Sequence, residues 1–142
     1  MQVEHHFFLP ITPNAAQRTR ATCRGRFAQV YQDPKYKEWL AEAVSLLRDI
    51  ASTEDFREYS GSPVSIKVEV AANRPKTTKL IAPRYDVDNL EKGLWDAITT
   101  SGKWWEDDRQ IIESHTHKRW ARDGEAEGYY VTITFLDGLF SK

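Results

Sequence analysis

The stretch Val64-Ser65-Ile66-Lys67-Val68-Glu69-Val70 alternates strictly between β-branched apolar residues and polar residues. Because successive side chains of a strand point to opposite faces, this period of two predicts a strand with one buried and one solvated face. The apolar face of such a strand needs a covering layer from elsewhere in the chain.

Two stretches with helical periodicity flank this strand. Asp33 and Pro34 are typical of a helix N-cap and first helical position, and this helix is expected to extend to about Ala51. A second helix is predicted over about 89–100, with Gly102 at its C-cap. Apolar residues at helical spacing should face inward, namely Tyr36, Trp39, Leu40, Ala43, Leu47 and Ile50 in the first helix and Leu90, Leu94, Ala97 and Ile98 in the second.

The remaining regular structure consists of three further strands, predicted over 3–9, 110–120 and 129–135, the last two joined by a turn over 122–128. Irregular segments are expected over 10–31, 52–63 and 71–84. The resulting order β-α-β-α-β-β predicts one small α/β domain of mixed α+β type over residues 1–142, in which two main helices pack on a mixed β-sheet.

The length of the chain, its single cysteine and its lack of long apolar stretches exclude several classes of protein. A chain of 142 residues with 40% hydrophobic residues can bury its own core without disulfides. The single cysteine, Cys23, excludes an internal disulfide and a cysteine-based metal site. We find no signal peptide and no apolar stretch long enough for a membrane span, so no membrane association is expected and a cytoplasmic location is predicted.

Two clusters of acidic residues lie at the two ends of the second predicted helix: Asp86-x-Asp88 before it and Glu106-Asp107-Asp108 after it. Gathering carboxylates is unfavourable because like charges repel, and a bound cation relieves the repulsion. Mg²⁺ favours oxygen ligands and often shares its shell with substrate phosphates. A plainer interpretation is that Asp88 is the helix N-cap, that Glu91 completes a capping box, and that the second cluster is a solvated turn.

The spacing of these acids favours catalysis over capping. Asp86 and Asp88 lie two apart in a segment expected to be extended, so both side chains can point the same way. Asp107 and Asp108 would lie beside them if the following strand pairs near the sheet centre. Lys92 follows Asp88 by one helical turn. Three carboxylates with a lysine are suited to metal-assisted phosphodiester hydrolysis.

An extended motif in this region resembles the RusA family of Holliday junction resolvases. The motif reads Asp86-x-Asp88-Asn89-Leu90-x-Lys92, Asp96-Ala97-Ile98, Trp104, Asp107-Asp108-x-Gln110-Ile111-Ile112-Glu113 and Lys118. The resemblance covers nearly the whole chain and is specific from Asp86 to Lys118. It implies a homodimeric, Mg²⁺-dependent endonuclease, with Mn²⁺ able to substitute, that nicks opposing strands of a four-way DNA junction in recombination and repair.

The resemblance also implies roles for individual residues. The catalytic and metal-binding acids carry over to Asp86, Asp88 and one aspartate of the second cluster. Alignment on Gln110-Ile111 selects Asp108, whereas counting from the first motif selects Asp107; we favour Asp108 and keep Asp107 as the alternative. The lysine of the family corresponds to Lys92, and Glu113 is expected to support the metal ligands.

Two basic segments without acidic residues, 10–31 and 71–84, precede the predicted site in the chain and suit contacts to DNA phosphates. About six such contacts would give a slope near −5 in a plot of log affinity against log salt. The expected DNA-binding residues are Arg18, Arg20, Arg24, Arg26, Arg74, Lys76, Lys79, Arg84 and Lys118. By contrast, His115 and His117 share a strand face without a clear third ligand, which disfavours a transition-metal site.

Three functional hypotheses follow from these residues. The first is a resolvase, which should be a homodimer because a near two-fold junction needs two identical sites. The second is a Mg²⁺ nuclease that prefers flaps or forks, and the third is a branched-DNA-binding protein without catalysis. The resemblance further implies a bacterial or phage-encoded protein associated with the nucleoid.

Overall fold

A four-stranded mixed sheet organises the protein, seen here in a computed structural model that describes residues 3–15, 33–52 and 61–136 and the backbone of 20–24 and 27–31. The strands are β1 (Val3–Leu9), β2 (Arg20–Arg24), β3 (Phe27–Tyr31), β4 (Val64–Ala72), β5 (Ile111–Trp120) and β6 (Gly128–Phe135). The helices are α1 (Pro34–Ile50) and α2 (Val87–Ser101), and a short 3-10 helix covers Asp108–Gln110.

The sheet has the strand order β1-β6-β4-β5. Strand β6 is antiparallel to both β1 and β4, while β4 and β5 are parallel. Parallel neighbours need a crossover, and α2 supplies it. The predicted α+β class and element order are confirmed, and β5 pairs with the central strand β4 while itself forming an edge of the sheet.

The helices cover one face of this sheet. Val64, Ile66, Val68 and Val70 are buried as their alternation predicts, and they share one core with the inward faces of α1 and α2. Lys67 is exposed on the opposite face. Within the described residues, no helix is both long and apolar enough to cross a membrane.

The start of α1 agrees with the prediction, whereas the start of α2 does not. Asp33 caps α1 by accepting a hydrogen bond from the backbone N–H of Lys35 at 2.9 Å. Helix α2 begins at Val87, so its N-cap is Asp86, and the predicted cap Asp88 lies in the first turn. The helix begins two residues before the predicted start at Asn89, because the backbone carbonyl of Asp86 already accepts the first helical hydrogen bond, from the N–H of Leu90.

The segment 10–31, predicted to be irregular, contains an antiparallel hairpin of β2 and β3. Its strands are separated by two residues, which is a common hairpin spacing, and β3 is rich in aromatic and β-branched residues. Of the predicted loop over 52–63, residues 53–60 lie outside the described part of the chain.

Candidate active site

The first acidic cluster lies where the chain enters α2. The side chains of Asp86 and Asp88 are both exposed. Asn89 contacts both, since its side-chain amide donates to Asp86 Oδ2 at 3.2 Å and its backbone N–H donates to Asp88 Oδ1 at 3.0 Å. Carboxylates are also favoured at this position by the positive end of the helix dipole. The site therefore presents two anionic groups to solvent at a defined helix terminus.

Two side chains of strand β5 form hydrogen bonds with the N-terminal part of α2 and with the backbone just before it. The ammonium of Lys118 donates to the backbone carbonyl of Tyr85 at 2.6 Å, one residue before Asp86. Thr116 donates to the carboxylate of Glu91 at 2.7 Å, so Glu91 serves this contact and not the predicted capping box. Lys118, expected to bind DNA, is half-buried and positions the backbone of the acidic segment.

Lys92 lies one turn further along α2, on the side of Asp88. Its Nζ is 2.7 Å from Asp96 Oδ1 and 3.9 Å from Asp108 Oδ2. The hydrogen bond to Asp96 raises the pKa of Lys92 above its ordinary value of 10.5, so this side chain carries a positive charge at neutral pH. Lys92, on the helix that follows the first acidic cluster, thus approaches the second cluster at Asp108.

Asp96 is itself held by a residue that the sequence indicated only as core. Tyr36, buried on α1, donates its hydroxyl to Asp96 Oδ2 at 2.9 Å. Burial, and next the bond to Asp96, raise the pKa of Tyr36, so the phenol stays protonated and remains a donor. The i, i+4 spacing predicted the pair of Lys92 and Asp96, but no local signal links Tyr36 to a residue sixty positions away.

The second acidic cluster reaches Lys92 because the chain turns back after α2. Gly102 has a left-handed backbone with φ of 70°, which ends the helix and reverses the chain. Trp104 and Trp105 then anchor the returning segment in the core, and the indole of Trp105 donates to Thr99 Oγ1 at 2.7 Å. This return brings Asp108 alongside the first half of α2.

Asp107 and Asp108 have different surroundings. Asp107 caps the short 3-10 helix, accepting from the backbone N–H of Arg109 at 2.9 Å. Gln110 completes a reciprocal capping box with Asp107 and donates to the carbonyl of Ser62 at 2.9 Å. Asp107 is therefore engaged in local structure, whereas Asp108 faces Lys92 and is available to the candidate site.

Glu113 lies apart from this site. It accepts a hydrogen bond from Ser65 Oγ at 3.0 Å on the solvated face of the sheet, while Thr116 and Lys118 point to the helical face. The strand period of two separates Glu113 from α2 in this way. His115 and His117 share the solvated face with Glu113 and lie 3.7 Å and 3.5 Å from Glu113 and Glu69, respectively.

The donor groups suit a hard divalent cation in chemistry but are not gathered around one point. Asp86, Asp88 and Asp108 supply carboxylate oxygens, which Mg²⁺ and Mn²⁺ prefer. Across residues 3–15, 33–52 and 61–136, however, no three histidine, cysteine, aspartate or glutamate side chains converge closely enough to hold a metal ion. Because Asp86 and Asp88 are exposed, rotation of their side chains is compatible with this backbone.

The second basic segment leads directly into the acidic cluster. Arg74, Lys76, Lys79 and Arg84 are all exposed between β4 and Asp86. The expected DNA contacts Arg18 and Arg26 lie outside the described residues, and for Arg20 and Arg24 only the backbone, in β2, is described. Four cations are therefore placed on the loop that ends at the candidate site.

Comparison with known proteins identifies a family that covers most of the chain. A family model described as Endodeoxyribonuclease RusA matches residues 10–134. The matched range contains both acidic clusters, Lys92, Lys118 and the basic segment before α2. A search of curated proteins gave no match.

Proposed function

The chain belongs to the RusA family of endodeoxyribonucleases, and from this membership we propose that it resolves four-way DNA junctions by paired, symmetric nicks that require Mg²⁺. The family implies an endonuclease for Holliday junctions and a branched DNA substrate. Dependence on Mg²⁺ in particular, the symmetry of the two nicks and a homodimeric assembly are the further parts of the proposal.

One contact supports the assignment of the site most directly. The Nζ of Lys92, one helical turn after Asp88, lies 3.9 Å from Oδ2 of Asp108, which is sixteen positions further along the chain. Lys92 from the first part of the motif and Asp108 from the second thus approach each other through the tertiary structure. The proposed metal site requires the second acidic cluster to approach this helix, whereas helix capping by Asp86 and Asp88 does not require it.

Each residue of the proposed site has a specific task. Asp86, Asp88 and Asp108 would hold the divalent ion, which when bound activates water and neutralises charge on the phosphate. Lys92 places a fixed positive charge where negative charge develops on the phosphate oxygens. Asp96 orients the Lys92 ammonium, and Lys118 fixes the backbone entering α2. Asp107 and Glu113, given their other contacts, are left out of this set.

Arg74, Lys76, Lys79 and Arg84 are proposed to guide a DNA strand towards Asp86. They are exposed and precede the first acid of the site, so a phosphate backbone bound along this loop would continue to the carboxylates. The net charge of −1 is compatible with this role because cations and acids are segregated locally.

Cleavage of a synthetic mobile four-way junction, compared with a matched linear duplex, tests the proposal. The wild type and Asp88→Asn should be assayed with Mg²⁺ and with EDTA, with Asp123→Asn in the exposed β5–β6 connection as control. We expect Asp88→Asn to reduce junction cleavage at least about a hundredfold, or about 2.7 kcal/mol of barrier. Its free energy of unfolding should change by about 1 kcal/mol or less.

Other outcomes would assign a different function. Tight junction binding without cleavage in any divalent metal would indicate a branched-DNA-binding protein. Preferential cutting of flaps or forks would retain the chemistry and replace the substrate. Equal activity of Asp88→Asn and the Asp123→Asn control would remove Asp88 from the site.

A further inference from the structure

A cavity of about 580 Å³ lies beside the candidate active site, between the loop over 73–86 and the end of β5. Its size falls in the range of about 300–1,000 Å³ that is usual for ligand sites. Trp120 and Tyr85 line it with aromatic surface, and Thr78 and Glu127 add polar groups. This combination of flat apolar surface and hydrogen-bonding edges is what a nucleobase requires.

The cavity walls are fixed by hydrogen bonds. The indole N–H of Trp120 donates to the carbonyl of Leu80 at 2.9 Å, which ties the loop to β5. Glu127 accepts from the backbone N–H of Asn73 at 3.1 Å and from Thr12 Oγ1 at 2.7 Å. Glu127 is therefore held at the cavity, and each of its oxygens retains capacity for a further donor.

The position of the cavity relates it to the proposed DNA path. Arg84 and Tyr85, which line it, directly precede Asp86. Lys118 holds the Tyr85 carbonyl, so the cavity and the acidic cluster share one fixed piece of backbone. A strand whose phosphate lies at Asp86 and Asp88 would have a neighbouring base within reach of the cavity.

Ile81 provides an independent observation at the same place. Its side chain is 97% exposed, although it is large and apolar, and it follows Leu80, which lines the cavity. DNA-binding proteins use such apolar side chains as wedges that enter a base step and separate the stacked bases. An exposed wedge next to a base-sized cavity suits a nucleotide taken out of the stack.

We propose that this cavity binds one nucleobase withdrawn from the stack next to the cleaved phosphate, while Ile81 occupies the vacated space. The inference rests on the proposed nuclease function and adds a structural basis for substrate choice. Withdrawing a base costs less where pairing and stacking are already disturbed, as at a branch point, than within a continuous duplex. The cavity would thus favour junctions over linear DNA.

Junctions that carry a single abasic site at successive positions around the cleaved phosphate test the cavity. We expect one position at which loss of the base reduces wild-type cleavage about tenfold. Trp120→Ala should reduce cleavage of the intact junction by a similar factor and should be insensitive to the abasic site at that position, because both changes remove the same interaction. Trp120→Phe, which keeps an aromatic ring, should retain the sensitivity.

Ile81→Ser tests the wedge with little risk to folding, since Ile81 is almost fully exposed. It should reduce cleavage of a fully paired junction about tenfold but leave unchanged the cleavage of a junction whose flanking bases are already mismatched. Ile81→Val should behave like the wild type on both substrates.

The outcomes separate this inference from the proposed function. A wild type that cuts no junction contradicts the nuclease proposal itself. If the wild type cuts junctions but no abasic position changes its cleavage rate, the cavity proposal is overturned while the nuclease proposal stands. The same conclusion follows if the effects of the abasic site and of Trp120→Ala on the cleavage rate are additive. Equal effects of Ile81→Ser on paired and mismatched junctions would exclude the wedge.

Discussion

At the scale of single residues, the position of a carboxylate decides its role. Asp107 and Asp108 are adjacent and chemically identical, yet the first caps a 3-10 turn and the second faces Lys92. In the same way, Asp86 ends the loop and Asp88 lies in the first helical turn. Short-range backbone geometry thus gives neighbouring acids different contacts, and Asp86, Asp88 and Asp108 are the three proposed to act on the substrate.

Substitution of the two neighbouring aspartates should produce opposite effects. Asp107→Ala removes a cap and is expected to lower the free energy of unfolding by about 1 kcal/mol, with little loss of cleavage. Asp108→Asn should keep the stability and reduce cleavage at least about a hundredfold. Urea unfolding and single-turnover cleavage measure the two quantities. A stable but inactive Asp107→Ala beside an active Asp108→Asn would transfer the role to Asp107.

The orientation of Lys92 should depend on Asp96. Asp96→Asn keeps an acceptor for Tyr36 but removes the charge that holds the ammonium, so we expect kcat to fall about tenfold while junction affinity stays within about twofold. Tyr36→Phe should have a smaller effect on kcat. Cleavage rates at saturating enzyme and binding in EDTA separate these quantities. An unchanged kcat with reduced stability would limit Asp96 to a helix-stabilising pair.

At the scale of elements, the segment after α2 assembles the site. The helix has 15 residues and is thus about 22 Å long, so acids placed before and after it would be far apart if the chain continued straight. The left-handed Gly102 and the buried pair Trp104 and Trp105 return the chain along the helix. Strand β5 then follows at the edge of the sheet, and its Lys118 donates a hydrogen bond to the backbone carbonyl of Tyr85, just before the first acidic cluster.

Ion pairs of Arg119 at the end of β5 should make the free energy of unfolding depend on pH in the acid range. Arg119 donates two hydrogen bonds of 2.7 Å to Glu125 in the β5–β6 connection and also bonds Glu69. The bond from Arg119 is the main cause that holds the pKa of Glu125 far below its ordinary value of 4.5. A carboxyl with a depressed folded-state pKa contributes stability that is present above its unfolded pKa and lost as the pH falls.

We therefore expect the free energy of unfolding to decline as the pH drops below about 4.5. Glu125→Gln should be less stable at pH 7 and should show a flatter acid branch in urea unfolding between pH 6 and pH 3, values that span the ordinary Glu range. Asp123→Asn, an exposed neighbour, serves as the matched control. An acid branch of equal slope in Glu125→Gln and the wild type would contradict the role of this ion pair.

At the scale of the whole molecule, the described part of the chain carries one candidate active site. Two nicks in a near two-fold junction require two sites related by the same symmetry, and a homodimer supplies them most simply. The helices cover one face of the sheet, while the other carries side chains such as Lys67, Glu113 and His115 and is solvated. In the proposed resolvase, assembly and catalysis would thus be linked through the symmetry of the substrate.

Mixed dimers test this link. Refolding wild-type subunits together with an excess of Asp88→Asn subunits should produce dimers with one competent site, and these should leave junctions nicked in one strand. Sedimentation equilibrium should give twice the chain mass of 16.5 kDa. Paired nicks from a protein that sediments as a monomer at the assay concentration would contradict the dimeric mechanism.

The sequence alone determined the features that depend on near neighbours. The alternation over 64–70, the cap at Asp33 and the end of α2 at Gly102 follow from local periodicity and residue chemistry, and the structure agrees with these elements. Only the tertiary structure decided that β5 is an edge strand, that Glu113 faces away from α2, that Lys118 binds a backbone carbonyl and that Asp108 approaches Lys92. The physical reason is that these contacts join residues 16 to 48 positions apart, and their geometry depends on how the helices and the sheet pack together.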